Sequence, residues 1–394
     1  MAVQVRTGEE RLIYVDQLRM VVLASVFLVH VCQVFNPFDE WHIANAERSR
    51  LAGEVTVIMA PWVMPLFMLL AGVSAWYSLR RRSNNRYIRE RVIRVLLPLV
   101  VGTLVLVPPQ VYLERRLHGQ FDRSFWQFLP HFFDGIYPTG NLSWHHLWFL
   151  GHLFGYSLLT LPLFRYLQGP AGSVQLRRLA RLCGGPAGLI WLALPLILER
   201  QLLWGLFPER HMLTSDWSNH ALLFVAYVYG FVLAGEARLG EAIDRQWPSA
   251  SMLALASTLL LVVGSWVGLL PEHVPPPYTV AYLTLWALYA LAAWAWMVTV
   301  LGLGRRWGRR DNGLVRYSRG VGYGWYLVHQ PIIVALAFVV VQTRASVGAK
   351  FILLLMLSSP TRRLRAAPPA RRSRGPDLSR EEQVRRPRPS YKSW

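Results

Sequence analysis

The residues able to do chemistry begin in a stretch that is otherwise nearly all apolar, RLIYVDQLRMVVLASVFLVHVCQVF, where Asp16, Arg19 and His30 stand out. Ionisable groups are costly inside an apolar span, so their presence needs a reason. Arg19 and His30 are 11 residues apart, which on a helix brings them to within about 20° of one face and about 16 Å apart along the axis. Asp16 falls one turn before Arg19 on that face and Gln33 one turn after His30. Taken singly, His30 reads as a hydrogen-bonded core histidine and Arg19 as a residue snorkelling to the interface. The aligned pair argues instead for a polar stripe from one membrane surface toward the interior. Imidazole suits proton transfer near neutral pH, and guanidinium grips phosphate oxygens through paired donors.

A second group opens the third apolar segment, RYIRERVIRVLLPL, with Arg91 and Arg94 spaced as helical neighbours beside Glu90. Alone, such arginines mark the cytoplasmic end of a span; beside Arg19 they form a basic mouth suited to phosphates. His145 and His146 in WHHLWFLGH, His329 beside Pro331 in GYGWYLVHQP, and Glu199 are further candidates for substrate contact. Their plainer readings are an interfacial histidine pair, a structural hydrogen bond at mid-span, and an internal ion pair of Glu199 with Arg200.

These groups need a scaffold, and composition names its solvent. Of 394 residues, 53% are apolar and only 16% charged, with 17 Trp, 16 Tyr and 17 Phe; a soluble domain carries about 25% charged residues. The net charge of +20 does not indicate nucleic acid, because the arginines cluster between apolar segments, where the positive-inside rule puts them. Cys32 and Cys183 lack metal-type spacing, so no metal site is expected. No cleavage pattern for a signal peptide is visible at the N-terminus.

The chain supplies about ten candidate spans of the necessary length, near residues 19–36, 55–79, 95–113, 147–167, 186–207, 220–236, 250–270, 278–304, 320–341 and 350–359. With the N-terminus cytoplasmic, the inner loops and the N-terminal arm hold 20 arginines against 7 in the outer loops, which favours that orientation. Trp62, Trp126, Trp144, Trp148 and Trp217 lie near the outer ends, where an interfacial belt belongs. The longest outer loop, 114–146, mixes aromatic and polar residues and reads as an ordered lid or interfacial helix. The expected fold is therefore all-α and polytopic, a membrane domain over residues 1–359 in the inner (plasma) membrane. Residues 360–394 are expected to be a disordered, basic, Pro/Arg-rich cytoplasmic tail. Two origins stay open for that tail: a basic segment touching anionic lipid, or a reading frame lost within a tenth span begun by FILLLML.

At these motifs the chain resembles the acyltransferase-3 family of bacterial integral membrane acyltransferases. The resemblance rests on Arg19 spaced by ten residues from His30, Arg91-x-x-Arg94, HHLWFL at 145–150 and YLVHQP at 326–331, and it covers roughly residues 11–358. The stretches YVDQLR, PLFMLLAGVSAW and ERVIRVLLPLVVGTLVLVPPQVYLE look most like the branch that contains the glucan-succinylating protein of periplasmic glucan synthesis. The resemblance implies ten membrane helices and transfer of an acyl group from cytoplasmic acyl-CoA to a hydroxyl of a glycan, cell-envelope polysaccharide or glycoside. It makes His30 catalytic, Arg19 its motif partner with Asp16 beside it, and Arg91 and Arg94 the donor-binding residues, with no permanently bound cofactor. The C-terminus departs from the family pattern of a last span and short tail.

The expected mechanism has neutral His30 accept the acceptor hydroxyl's proton as that oxygen attacks the thioester; a transient acyl-histidine is the variant. A transporter is the rival reading, since intramembrane His and Arg also line proton paths, but no internal repeat or pair of broken helices supports it. The acyltransferase type that uses His and Asp five positions apart is disfavoured, because His131 and Asp134 have the wrong spacing.

Overall fold

A computed structural model describes residues 8–207, 216–268, 275–308 and 312–359. The expected tail at 360–394 lies outside the described residues, as do parts of the loops around 208–215, 269–274 and 309–311. Among the described residues there are helices and no strands.

Among the described residues, seven helical segments are long and apolar enough to cross a membrane: Ile13–Gln33, Arg50–Arg80, Asn84–Leu117, Trp217–Gly235, Ala237–Trp266, Val280–Trp307 and Gly313–Val340. An eighth forms if the pair His145–Leu159 and Leu161–Gln168, bent by 54°, is one span. The bend falls where Pro162, lacking an N–H, opens the second piece. The segments expected at 186–207 and 350–359 are helical but shorter.

The first helix, α1 (Gly8–Gln33), starts a dozen residues before its apolar run. The second span breaks into α2 (Arg50–Met59), capped by Ser49 accepting from the Ala52 N–H, and α3 (Val63–Arg80). The third comprises α4 (Asn84–Arg91), a π turn at Val92–Leu96, α5 (Leu97–Val105) and α6 (Pro108–Leu117). Beyond it the loop to residue 147 holds the single turn α7 (Phe125–Phe128), whose Ser124 and Gln127 form a capping box, and two 3-10 turns. Then come α8 (Trp148–Leu159), α9 (Leu161–Gln168), the amphipathic α10 (Pro170–Leu182) and α11 (Leu194–Leu203). The long helices α12 (Trp217–Gly235), α13 (Ala237–Trp266), α14 (Val280–Trp307) and α15 (Gly313–Val340) follow, and α16 (Val347–Ser358) ends the described chain.

Two faces show what solvent this scaffold expects. On α13, Met252 and Leu259 are 73% and 63% exposed, and α5 turns Leu97, Val100, Val101, Leu104 and Val105 outward in a continuous apolar strip. Such a surface suits lipid and not water. Of the tryptophans expected in an interfacial belt, Trp126 and Trp217 are exposed, whereas Trp62 and Trp148 are buried, Trp62 stacked on Trp296. Position near a span end did not distinguish a belt residue from a core residue, because both kinds sit there.

α3 packs tightly against α12. Gly72 faces the backbone of Tyr227, and Gly230 faces that of Leu69; a Cβ on either would lie 2.0 or 1.8 Å from a carbonyl oxygen. Small residues let helices in lipid approach closely where no hydrophobic effect drives them together. Gly230→Val is expected to force the pair apart, costing about 1–3 kcal/mol or more. Thermal unfolding in detergent should show a Tm several degrees lower, and an unchanged Tm would contradict this backbone contact.

Candidate active site

The sequence stripe on α1 meets two neighbours. At its N-terminal end, the Asp16 carboxylate accepts from Arg19 Nη1 at 2.9 Å and from Arg319 Nε of α15 at 2.6 Å. Arg19 also donates to Ser74 Oγ of α3, which in turn donates to the Leu70 carbonyl. Fourteen residues on, His30 meets His329 of α15 edge to face, ring centroids 5.0 Å apart. Asp16 to Arg319 and His30 to His329 follow in the same order along both helices, so α1 and α15 run in the same direction, with Arg19 between these contacts turned to α3.

His30 Nδ1 lies 2.7 Å from the Val26 carbonyl. A carbonyl only accepts, so Nδ1 carries the hydrogen and Nε2 the lone pair, the tautomer a general base needs. His329 repeats the device, with Nδ1 donating to Tyr326 O at 2.7 Å. His146 uses the other nitrogen, Nε2 donating to Leu327 O at 2.9 Å, while its Nδ1 is buried without a hydrogen-bond partner, as is His329 Nε2. The rings of His146 and His329 are 5.3 Å apart. Gln330 of α15 hydrogen-bonds Gln110 of α6 at 3.2 Å, and the Tyr326 hydroxyl donates to His146 O at 2.6 Å. The structure therefore brings His30, His146 and His329 together from α1, the turn before α8, and α15.

This trio continues outward. Trp41 contacts His30 and His42, and His42 lies against His145 with centroids 4.2 Å apart. His42 Nδ1 is 2.7 Å from Glu114 Oε2, and the Tyr137 hydroxyl donates to the same carboxylate at 3.2 Å. Burial and the Glu114 charge push the Tyr137 phenol well above its ordinary value, so it is a donor throughout the physiological range. Ligand atoms of His42, Glu114 and His145 all lie within 4.8 Å of one another. His145 holds φ at +42°, which non-glycine residues rarely occupy.

Sequence reasoning missed His42, Glu114, Tyr137 and Arg319. Glu114 carried a usable signal, an acid at the end of an apolar span. Arg319 was counted only as an inner-loop arginine, and the other two stand in loops with no period to mark them.

Arg91 and Arg94 do not share one environment. The π turn that begins at Val92 changes the rotation per residue, leaving Arg94 exposed while Arg91 is half-buried, its guanidinium 4.7 Å over the Tyr87 ring. Arg91 Nε is buried without a hydrogen-bond partner, and the residue is within electrostatic range of Arg19. Arg94 lines an open concavity of about 270 Å³ with Arg86, Arg89, Glu90 and Ile93. Tyr323 of α15 donates to the Arg94 carbonyl at 2.8 Å, fastening this end of the third span to the helix that carries His329.

Glu199 is not brought to the histidines. Its Oε1 accepts from Ser218 at 2.5 Å and its Oε2 lies 3.6 Å from Arg200 Nε, while Arg200 stacks over Trp204 and Trp286. This buried polar knot joins α11, α12 and α14 and includes the expected pairing of Glu199 with Arg200.

A family model described as an acyltransferase domain matches residues 12–359. No curated protein and no solved structure matches the chain.

If the α1–α15 pairing holds the stripe in place, Asp16→Ala and Arg319→Ala should be non-additive. A double-mutant cycle on unfolding in detergent is expected to give a coupling of roughly 0.5–3 kcal/mol. Strict additivity would dissociate the two side chains.

Proposed function

The chain belongs to the acyltransferase-3 family, and from that premise we propose that it transfers an acyl group from acyl-CoA to a hydroxyl of a glycan, cell-envelope polysaccharide or glycoside, with His30 as general base. The observation that carries this reading is the tautomer of His30, fixed by the Val26 carbonyl, at the junction of two further buried imidazoles.

The N-terminus lies in the cytoplasm, so Arg19, Arg91 and the concavity around Arg94 face the cytoplasmic pool of donor. Guanidinium groups there hold the nucleotide phosphates. The acyl-bearing arm follows the α1 stripe toward His30, and the acceptor enters from the other side beneath residues 114–146. His30 Nε2 takes the hydroxyl proton as the oxygen attacks the thioester carbonyl; the C–S bond breaks and the thiolate leaves with a proton returned from the imidazolium. His146 and His329 flank that step as neutral imidazoles able to orient acceptor or acyl group. Asp16 keeps Arg19 in place and acts as a positioning residue. The protein resides in the inner (plasma) membrane, and its motifs favour the glucan-succinylating branch.

Membranes incubated with labelled acetyl-CoA and succinyl-CoA, with and without the gene, should show label in envelope glycans by mass spectrometry. His30→Ala is expected to abolish that transfer while leaving membrane insertion intact; full glycan modification by this variant would overturn the assignment. Arg91→Ala, losing a charge-assisted contact of about 1.5–3 kcal/mol, should raise KM for the donor about 10- to 100-fold with a smaller change in kcat. A fall in kcat alone would place Arg91 at the chemistry and away from the phosphates.

A further inference from the structure

The geometry points to a divalent metal site of the zinc type, held by His42, Glu114 and His145. Two imidazoles and one carboxylate are the donor set of an open tetrahedral zinc site, leaving a fourth position for water or a hydroxyl. The three residues come from the loop after α1, the last turn of α6 and the turn before α8, and their ligand atoms already lie within 4.8 Å of one another. A zinc ion about 2.0–2.2 Å from each donor requires side-chain shifts below about 1 Å from these positions.

A second observation asks for a ligand independently of the clustering. His145 is 8% exposed, and its Nε2 is buried without any hydrogen-bond partner. Nδ1 is hydrogen-bonded to Ser143 Oγ at 3.0 Å, and a buried Nε2 with neither a hydrogen-bond partner nor a cation carries a loss of about 1–3 kcal/mol. A cation removes that loss. Glu114 is 4% exposed and is a hydrogen-bond acceptor on every side: His42 Nδ1 at 2.7 Å, the Tyr137 hydroxyl at 3.2 and 3.4 Å.

The partners around these donors match those that orient metal ligands elsewhere. Ser143 fixes the His145 ring, and Tyr137 fixes the Glu114 carboxylate. Arg115 is an opposing charge, 3.8 Å from Glu114 Oε1. Its guanidinium is committed to Asn141 Oδ1, Gln120 Oε1 and the carbonyls of Pro138 and Gly140 at 2.7–3.0 Å. Its charge lowers affinity for the bare ion and favours a fourth ligand that is anionic, such as hydroxide. A hydrogen-bonded His42–Glu114 pair without any ion is the competing account, and it leaves His145 Nε2 unexplained.

The full chain, purified in detergent, equilibrated with Zn2+ alone and freed of excess ion, is expected to retain about one zinc per chain by elemental analysis. Co2+ in its place should give the visible absorption of a tetrahedral site. His145→Ala and Glu114→Gln should lower bound zinc tenfold or more. His42→Ala, at the most exposed of the three positions, provides the same loss in a variant with little reason to misfold, checked by monodisperse gel filtration. Failure of the wild-type chain to retain zinc or cobalt would overturn the proposal, and so would a full complement of zinc in well-folded His42→Ala.

Discussion

The stripe from Asp16 to His30 depends on α1 and α15 running side by side in one direction. A guanidinium or carboxylate facing lipid is costly, and each charged group on the α1 stripe is answered from a neighbour. Asp16 accepts from both Arg19 and Arg319, so one carboxylate serves two guanidinium groups on two helices. The arrangement leaves net positive charge at that end, and Arg91 adds to it. That surplus is what the phosphates of the proposed donor would meet.

The opposite principle governs the histidines. His30 and His329 each direct one ring N–H at a carbonyl of their own helix, which sets the tautomer without a second side chain. Neutral imidazoles can crowd at 5.0 and 5.3 Å where protonated ones would repel. Pro331 helps place the pair on α15, since it cannot donate to the carbonyl four residues back and leaves that oxygen, at Leu327, open to His146.

Much of this was legible in the sequence, for identifiable reasons. The α1 stripe has helical period, so Asp16, Arg19 and His30 could be placed on one face before any partner was known. The apolar spans were visible by length, but their breaks were not: the interruption between α2 and α3 and the π turn after Arg91 arise from packing, and the latter separates Arg91 from Arg94, which helical spacing alone puts together. Glu199 was half legible, its adjacency to Arg200 signalling a pair but not the Ser218 contact. His42 and Tyr137 were invisible because long-range contacts between loops leave no periodic trace.

Glu114 and Arg115, consecutive at the end of α6, link the loop that follows α6 to the histidines. Glu114 points to His42 and Tyr137, while Arg115 binds the carbonyls of Pro138 and Gly140. The segment around 137–141 is thus gripped twice, by two residues whose relative positions are fixed by a helical turn. A displacement of that segment cannot occur without pulling on the carboxylate beside His42 and His145 or breaking Arg115's bonds. The loop that carries Tyr137 is therefore part of the same mechanical unit as His42 and His145.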